Sequence, residues 1–259
     1  MKFRNSYIVI ILLFLYCVLN PLKTFATNGD YAALDSANTA YNKMNYAKAI
    51  DFYQKFLSGG IESAQAYYNI GNCYFRTNEM GKAILYYEKA EKLNPADADI
   101  QFNLQLANQK ITDKVTSDAP IFIYSDWKKF ENKFTEKQWA IICISLLCLS
   151  LLLFALYLIA SHILVRQISF WSGFVVIFLS LFTFYLAHQQ YDILNSHDTA
   201  IVMAASVTVN GAPDEKATQL FVLHEGTKVW IVKTEGLWTE IKLANGNQGW
   251  LISSDISAI

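Results

Sequence analysis

Asn38, Tyr41, Asn69, Asn72, Phe75 and Arg76 fall in one stretch and combine amides, aromatic rings and a guanidinium. Amides can donate to and accept from a peptide backbone, and rings receive apolar side chains. Trp238 and Glu240 form a second ring-and-carboxylate pair near the C-terminal end. The four histidines (His162, His188, His197, His224) are scattered, and Cys73 stands far from Cys17, Cys143 and Cys148. A lone thiol of this kind reads as a small packing residue. No phosphate loop, dinucleotide glycine pattern, HExxH or GxSxG motif occurs. The sequence points to no catalysis, no cofactor and no metal. With a net charge of −1 it lacks the basic balance that a nucleic-acid partner requires.

The elements that carry the first cluster repeat at an offset of 34 residues. Ala37-Asn38 matches Gly71-Asn72, Tyr41 matches Phe75, Ala49-Ile50 matches Ala83-Ile84, and Tyr53 matches Tyr87. Gly71 and Ala83 are small where paired helices would cross, and Pro95 ends the second helix. This pattern resembles the tetratricopeptide repeat, most fully over residues 64–97 and also over 30–63, where Ala33 and Ser36 replace larger residues. Asp97 can cap a further helix with apolar Ile100, Leu104, Ala107 and Ile111, read as a capping helix that completes a domain over 30–111. Two repeats and a cap make a short array, so it is expected to dock on a partner or pack against one. The resemblance implies a groove on the first helix of each pair, offering Tyr31, Leu34, Asn38, Tyr41, Asn69, Asn72, Phe75 and Arg76. Asn38 and Asn69 match the asparagines of the carboxylate-clamp subfamily. Leu34, Asp99 and Asn103 replace its basic residues, so an internal protein segment is expected rather than a C-terminal carboxylate. The alternative is that these rings only pack between repeats.

Two uncharged runs lie at 139–160 and 168–187, each near the roughly 20 residues that a spanning helix needs. They read as a transmembrane helical hairpin, a form that satisfies its own backbone hydrogen bonds in lipid. Ser169 and Gly173 would let the two helices approach closely. His162 and His188 would then lie at opposite faces, so they form no haem pair. A hairpin puts the segments before and after it on one side. Residues 1–26 have a basic start (Lys2, Arg4), a short apolar core and a small residue at Ala26, which reads as a secretory signal, with an uncleaved anchor as the alternative. Both soluble segments are therefore expected in the periplasm, with the loop around Arg166 cytoplasmic, in a bacterial inner membrane. Residues 112–138 read as a linker followed by an interfacial helix, in which Trp127, Phe130 and Phe134 recur at helical spacing among lysines and meet membrane lipid.

Residues 198–259 shift to short strand candidates at 200–203, 220–223, 228–233, 238–243 and 249–252, with Asn245-Gly246 as a hairpin signal. The runs 223–229, 237–241 and 249–251 resemble a bacterial SH3 domain, a small barrel. Alternation turns Thr239, Ile241 and Leu243 inward and Trp238 and Glu240 outward, where the resemblance implies ligand contact. Trp250 reads as structural. Local twist folding Trp238 over the core is the alternative.

Signal, tetratricopeptide pair, membrane hairpin and SH3-like module, in this order, resemble the E-type proteins of the aerotolerance (Bat) operon. The fold class expected is thus a multidomain membrane protein with all-α repeat hairpins, a transmembrane α-hairpin and an all-β SH3-like barrel. The resemblance implies a non-enzymatic adaptor that assembles with other Bat-type membrane proteins, including von Willebrand A-domain members. The alternative function is sensing of a peptidoglycan stem peptide through the SH3-like module.

Overall fold

The computed structural model describes residues 28–114 and 122–259. The leader expected at 1–26 and residues 115–120 of the expected linker lie outside the described residues. Two compact units are present.

The first unit to consider joins the helical repeats to the C-terminal strands. The repeats are α1 (Asn28–Asn42), α2 (Tyr46–Leu57), α3 (Ala64–Arg76), α4 (Met80–Leu93) and α5 (Ala98–Asn108). Asn45, Ser63 and Asp97 accept hydrogen bonds from backbone N–H groups that open α2, α3 and α5, which is why those helices begin there. Met44 and Asn78 hold the same turn position one period apart, both at positive φ (58° and 66°). The core of the pairs is built on Tyr53 and Tyr87, each 1% exposed, against Ala37, Ile70, Cys73 and Ala83. A Cβ at Gly71 would stand 2.6 Å from the Tyr87 ring, so the smallest residue sits where ring and helix meet most closely.

Helix α5, expected as a cap, has the register of a third first-helix. Leu104 and Ala107 are buried as Ile70 and Cys73 are, one period earlier. Gln105, however, is exposed where Gly71 and Ala37 are buried. Among the described residues no second helix crosses α5 at that point, so no small residue is needed.

A seven-stranded antiparallel sheet follows, with β1 (Thr199–Val202), β2 (Ser206–Asn210), β3 (Gln219–His224), β4 (Lys228–Glu235), β5 (Trp238–Lys242), β6 (Gln248–Ile252) and β7 (Ile256–Ala258). The strand order is β3-β2-β6-β5-β4-β1-β7. β2 and β7 add to the five strands expected from sequence. β2 carries a plain alternation, with Val207 and Val209 buried. β7 is only three residues long and is held by pairing to β1.

Repeats and sheet share one core. Ile201 of β1 and Ile259 pack with Ala83, Ile84, Leu104 and Ala107. Polar contacts ring this core. α4 lacks a side-chain cap of its own, and the Glu225 carboxylate accepts from the Gly81 N–H (3.0 Å) at its first turn, where the helix dipole favours an anion. Lys228 pairs with the buried Glu88 at 2.6 Å. Asp113, just past α5, accepts from the His224 N–H (2.7 Å), the His224 ring nitrogen Nδ1 (2.9 Å) and the Thr227 hydroxyl (2.8 Å). Gly226 is fixed by two demands. Its φ is +89°, and a Cβ there would stand 2.6 Å from Ile111.

The second unit contains Phe134–Asp192. Its helices are α7 (Glu136–Ile159) and α8, which runs Ile163–Asn195. Both are long and apolar enough to cross a membrane. The break between them spans only residues 160–162, shorter than expected, because 163–167 continue the helix despite Arg166 and Gln167. Ser150, Ser169, Ser180 and Thr183 are buried between the helices, and a Cβ at Gly173 would meet Leu153 and Phe154 at 3.5 Å. Small residues thus mark the contact, as membrane helices use them. The amphipathic segment forms α6 (Phe122–Glu131) and stops before α7. The spacing of Trp127, Phe130 and Phe134 predicts a helix that continues through Phe134. Thr135 and Gln138 instead form a reciprocal capping box, which starts a new helix.

Burial works against the charged form of Asp113, but its hydrogen bonds from His224 and Thr227 outweigh it and hold the carboxyl below the usual range. A lowered carboxyl adds stability that is present above the unfolded value, about 3.9, and is lost as pH falls through the lower folded value. Asp113→Asn should therefore lower the stability of the repeat-and-sheet unit at pH 7. The gap to wild type should narrow only below about pH 4. Urea denaturation at several pH values, followed by circular dichroism, checks this.

Candidate functional site

The first helices of the repeats place the expected groove residues, and the second helices decide how they stand. Tyr53 donates its hydroxyl hydrogen to Asn38 Oδ1 at 2.6 Å and accepts from Asn69 Nδ2 at 3.0 Å. One period later Tyr87 donates to Asn72 Oδ1 at 2.7 Å. Asn103 Nδ2 reaches both Asn72 Oδ1 (3.0 Å) and the Tyr68 hydroxyl (2.8 Å). The result is a ladder in which buried Tyr53 ties α1 to α3, Tyr87 ties α4 to α3, and Asn103 ties α5 to α3. Burial pushes the Tyr53 hydroxyl up to about 12 and raises Tyr87 as well, so both remain neutral donors.

This ladder fixes the amides. Asn38 spends its oxygen on Tyr53, which leaves its Nδ2 as a donor, whereas Asn72 spends its oxygen on Tyr87 and Asn103 and its amide also meets the Tyr68 hydroxyl. Asn69 instead spends its Nδ2 inside the ladder and accepts from Gln65 at its oxygen (3.3 Å). Tyr41 and Phe75 are half-buried, and Tyr41 packs edge-on against Tyr46. Lys110, beyond α5, lies over the Phe75 ring at 4.1 Å, a cation–π contact. Arg76 is exposed at the end of α3, and its charge acts on the Tyr87 hydroxyl. The amides thus bind the repeats together, and the Tyr41 and Phe75 rings are partly packed against Tyr46 and beneath Lys110.

Tyr53, Tyr87, Tyr68 and Asn103 were not among the expected ligand-facing residues. The period signalled them, because Tyr53 and Tyr87, and Asn69 and Asn103, are spaced one repeat apart. Cys73 is fully buried, and burial pushes its thiol up to about 12, which fits packing rather than redox work.

On the sheet, Thr239, Ile241 and Leu243 are buried and Trp238, Glu240 and Lys242 face away from that core. Trp238 stands opposite Ile252, and Glu240 opposite Trp250. Lys233 lies over the Trp250 ring at 4.8 Å and 3.8 Å from Glu240. Trp250 is therefore buried on the outer face, beneath a lysine, rather than in the sheet core. Pro95 is buried just after α4 and ends it at Asn94. Among the described residues no three His, Cys, Asp or Glu side chains converge as a metal site.

The family model for the tetratricopeptide repeat matches residues 64–97, which are α3, α4 and the turn that ends in Asp97. Residues 64–97 are a tetratricopeptide repeat. Such repeats are protein-interaction elements, and the family that matches is not a catalytic one. Among solved structures, the crystal structure of MamA is similar at 18% identity, over 64% of this chain and 80% of that one, with a TM-score of 0.30. No curated protein sequence matches the chain.

Replacing Tyr53 by Phe leaves Asn38 Oδ1 and Asn69 Nδ2 without their shared partner. The variant should lose about 1–2 kcal/mol of stability by chemical denaturation, and Tyr87→Phe a similar amount.

Proposed function

We propose that the chain is a non-enzymatic, membrane-anchored adaptor whose tetratricopeptide groove holds an extended segment of a protein partner. The single observation that carries this reading is the division of the repeat's surface. The α4 side is occupied by the sheet through Ile201 and Ile259. The first-helix side keeps Arg76 and Asn38 exposed, and Tyr41, Asn72 and Phe75 half-buried. An extended ligand would receive a hydrogen bond from Asn38 and set apolar side chains on Tyr41 and Phe75. Helices α7 and α8 would cross the inner membrane as a hairpin, with the repeats and sheet in the periplasm and the loop at Arg166 in the cytoplasm.

The order of segments supports kinship with the E-type aerotolerance (Bat) proteins. On that reading the partners are other Bat-type membrane proteins, including those with von Willebrand A domains. The sheet would be an SH3-like module. The outward placement of Trp238 beside Glu240 favours a second reading, in which that module binds a peptidoglycan stem peptide.

The test is purification of the tagged chain from native membranes in mild detergent, with bound proteins identified by mass spectrometry. Stoichiometric recovery of von Willebrand A-domain proteins, reduced about tenfold or more by Phe75→Ala with Arg76→Ala while the chain remains folded, is the expected result. Equal recovery with the double variant would remove the groove from the account. Binding of the full chain to sacculi, lost in Trp238→Ala, would favour the second reading.

A further inference from the structure

The first helices of the repeats carry cations at their C-terminal ends, beside the groove. Arg76 is the last residue of α3, and Lys110 lies one period of 34 residues later, just past α5. The equivalent position in α1 is Asn42. Both cations are exposed, and Lys110 reaches back over the Phe75 ring. Among the described residues neither has a carboxylate within ion-pair distance.

The neighbouring acids are engaged elsewhere. Glu79 pairs with Lys82 at 2.7 Å, and Asp113 accepts from His224 and Thr227. Glu225 is spent on the first turn of α4, on the sheet side. Asp97 accepts from the N–H groups that open α5. Asp99 stands at the far end of α5 from Lys110, about 16 Å along the axis, which exceeds the Debye length of roughly 8 Å at physiological salt. The groove residues Asn38, Tyr41, Asn72 and Phe75 are uncharged, so Arg76 and Lys110 set the sign of this edge. Nor is Lys110 needed to close its helix, because Lys114 donates to the carbonyls of Asn108, Gln109 and Ile111 there.

The third first-helix also carries an apolar group. Phe102 repeats the position of Leu34 and Tyr68, and it is 64% exposed. Neighbouring helices pack roughly 8–10 Å apart, and an extended chain advances about 3.3 Å per residue. The two cations therefore address side chains about two or three residues apart in an extended ligand.

We propose that the partner segment held in the groove is acidic, with Asp or Glu side chains about two or three residues apart that pair with Arg76 and Lys110, and an apolar side chain that packs on Phe102. This rests on the groove reading above and adds the chemical class of the segment.

The test selects short random displayed peptides on the full chain in detergent and keeps those whose binding Phe75→Ala weakens. Fluorescence anisotropy then measures their affinity for wild type, Lys110→Gln and Lys110→Arg at low and high salt. The expected peptides are enriched in Asp and Glu at the stated spacing. Their affinity should fall about fivefold in Lys110→Gln, be kept in Lys110→Arg, and weaken as salt rises. Versions with Asn and Gln in place of Asp and Glu should bind wild type and Lys110→Gln alike. Groove-dependent peptides without acidic enrichment, or with affinity that Lys110→Gln leaves unchanged, would overturn the proposal while the groove reading stands. An equal loss in Lys110→Gln for the acidic and amide versions would also overturn it, since Lys110 would then act only through the Phe75 ring. Recovery of no peptide that depends on Phe75 would remove both readings.

Discussion

The burial of Ile201 and Ile259 against Ile84, Leu104 and Ala107 is the contact on which the rest of the soluble unit depends. A tetratricopeptide repeat, the helix pair before it and a single further helix leave apolar surface that no following repeat covers among the described residues, and arrays this short are marginal alone. The sheet covers that surface. Its polar contacts follow from the same docking, since Glu225, Lys228 and the loop at His224 meet α4 and Asp113 only when β1 is seated. Lys228 with Glu88 shows the constraint most sharply. Glu88 is buried, and removing its partner would leave a carboxylate with neither water nor a cation, a loss of about 3–5 kcal/mol.

This docking also bears on the proposed function. With one side of the repeats committed to the sheet, the first-helix side is the one the proposal assigns to a partner. Tyr53 between Asn38 and Asn69, and one period later Tyr87 and Asn103 both on Asn72, hold that side at fixed spacing. A groove whose donors are already positioned costs a ligand less ordering on binding. The sheet is thereby a structural part of the repeat array as well as a candidate binding module.

Much of this was legible in the sequence because it is periodic. The 34-residue offset located the helices, the small residues at Ala37 and Gly71, and the pairing of Tyr53 with Tyr87. Alternation along residues 238–243 gave the inward and outward faces of β5 correctly. Long-range contacts were not legible. Nothing local announces that Glu225 would cap a helix 144 residues earlier, or that Asp113 would hold His224. The ends of α8 were missed for a related reason. Hydropathy marks where a helix stops being apolar, and this helix continues through Arg166 at one end and past Gln189 at the other. The register of α5 lay open to view, because Asn103 repeats Asn69, but the exposed Gln105 shows its meaning only once the missing second helix is seen.

Hydrogen–deuterium exchange of the full chain carrying Ile201→Asp, read peptide by peptide against wild type, tests the shared core most directly. A carboxylate at a position with no exposure has no partner there and should expel β1 from its seat. The account predicts that protection falls in α3, α4 and α5 together with the strands, because repeats and sheet unfold as one cooperative unit. Full protection of α3 to α5, with loss confined to the sheet, would show that the repeats stand alone and would contradict it.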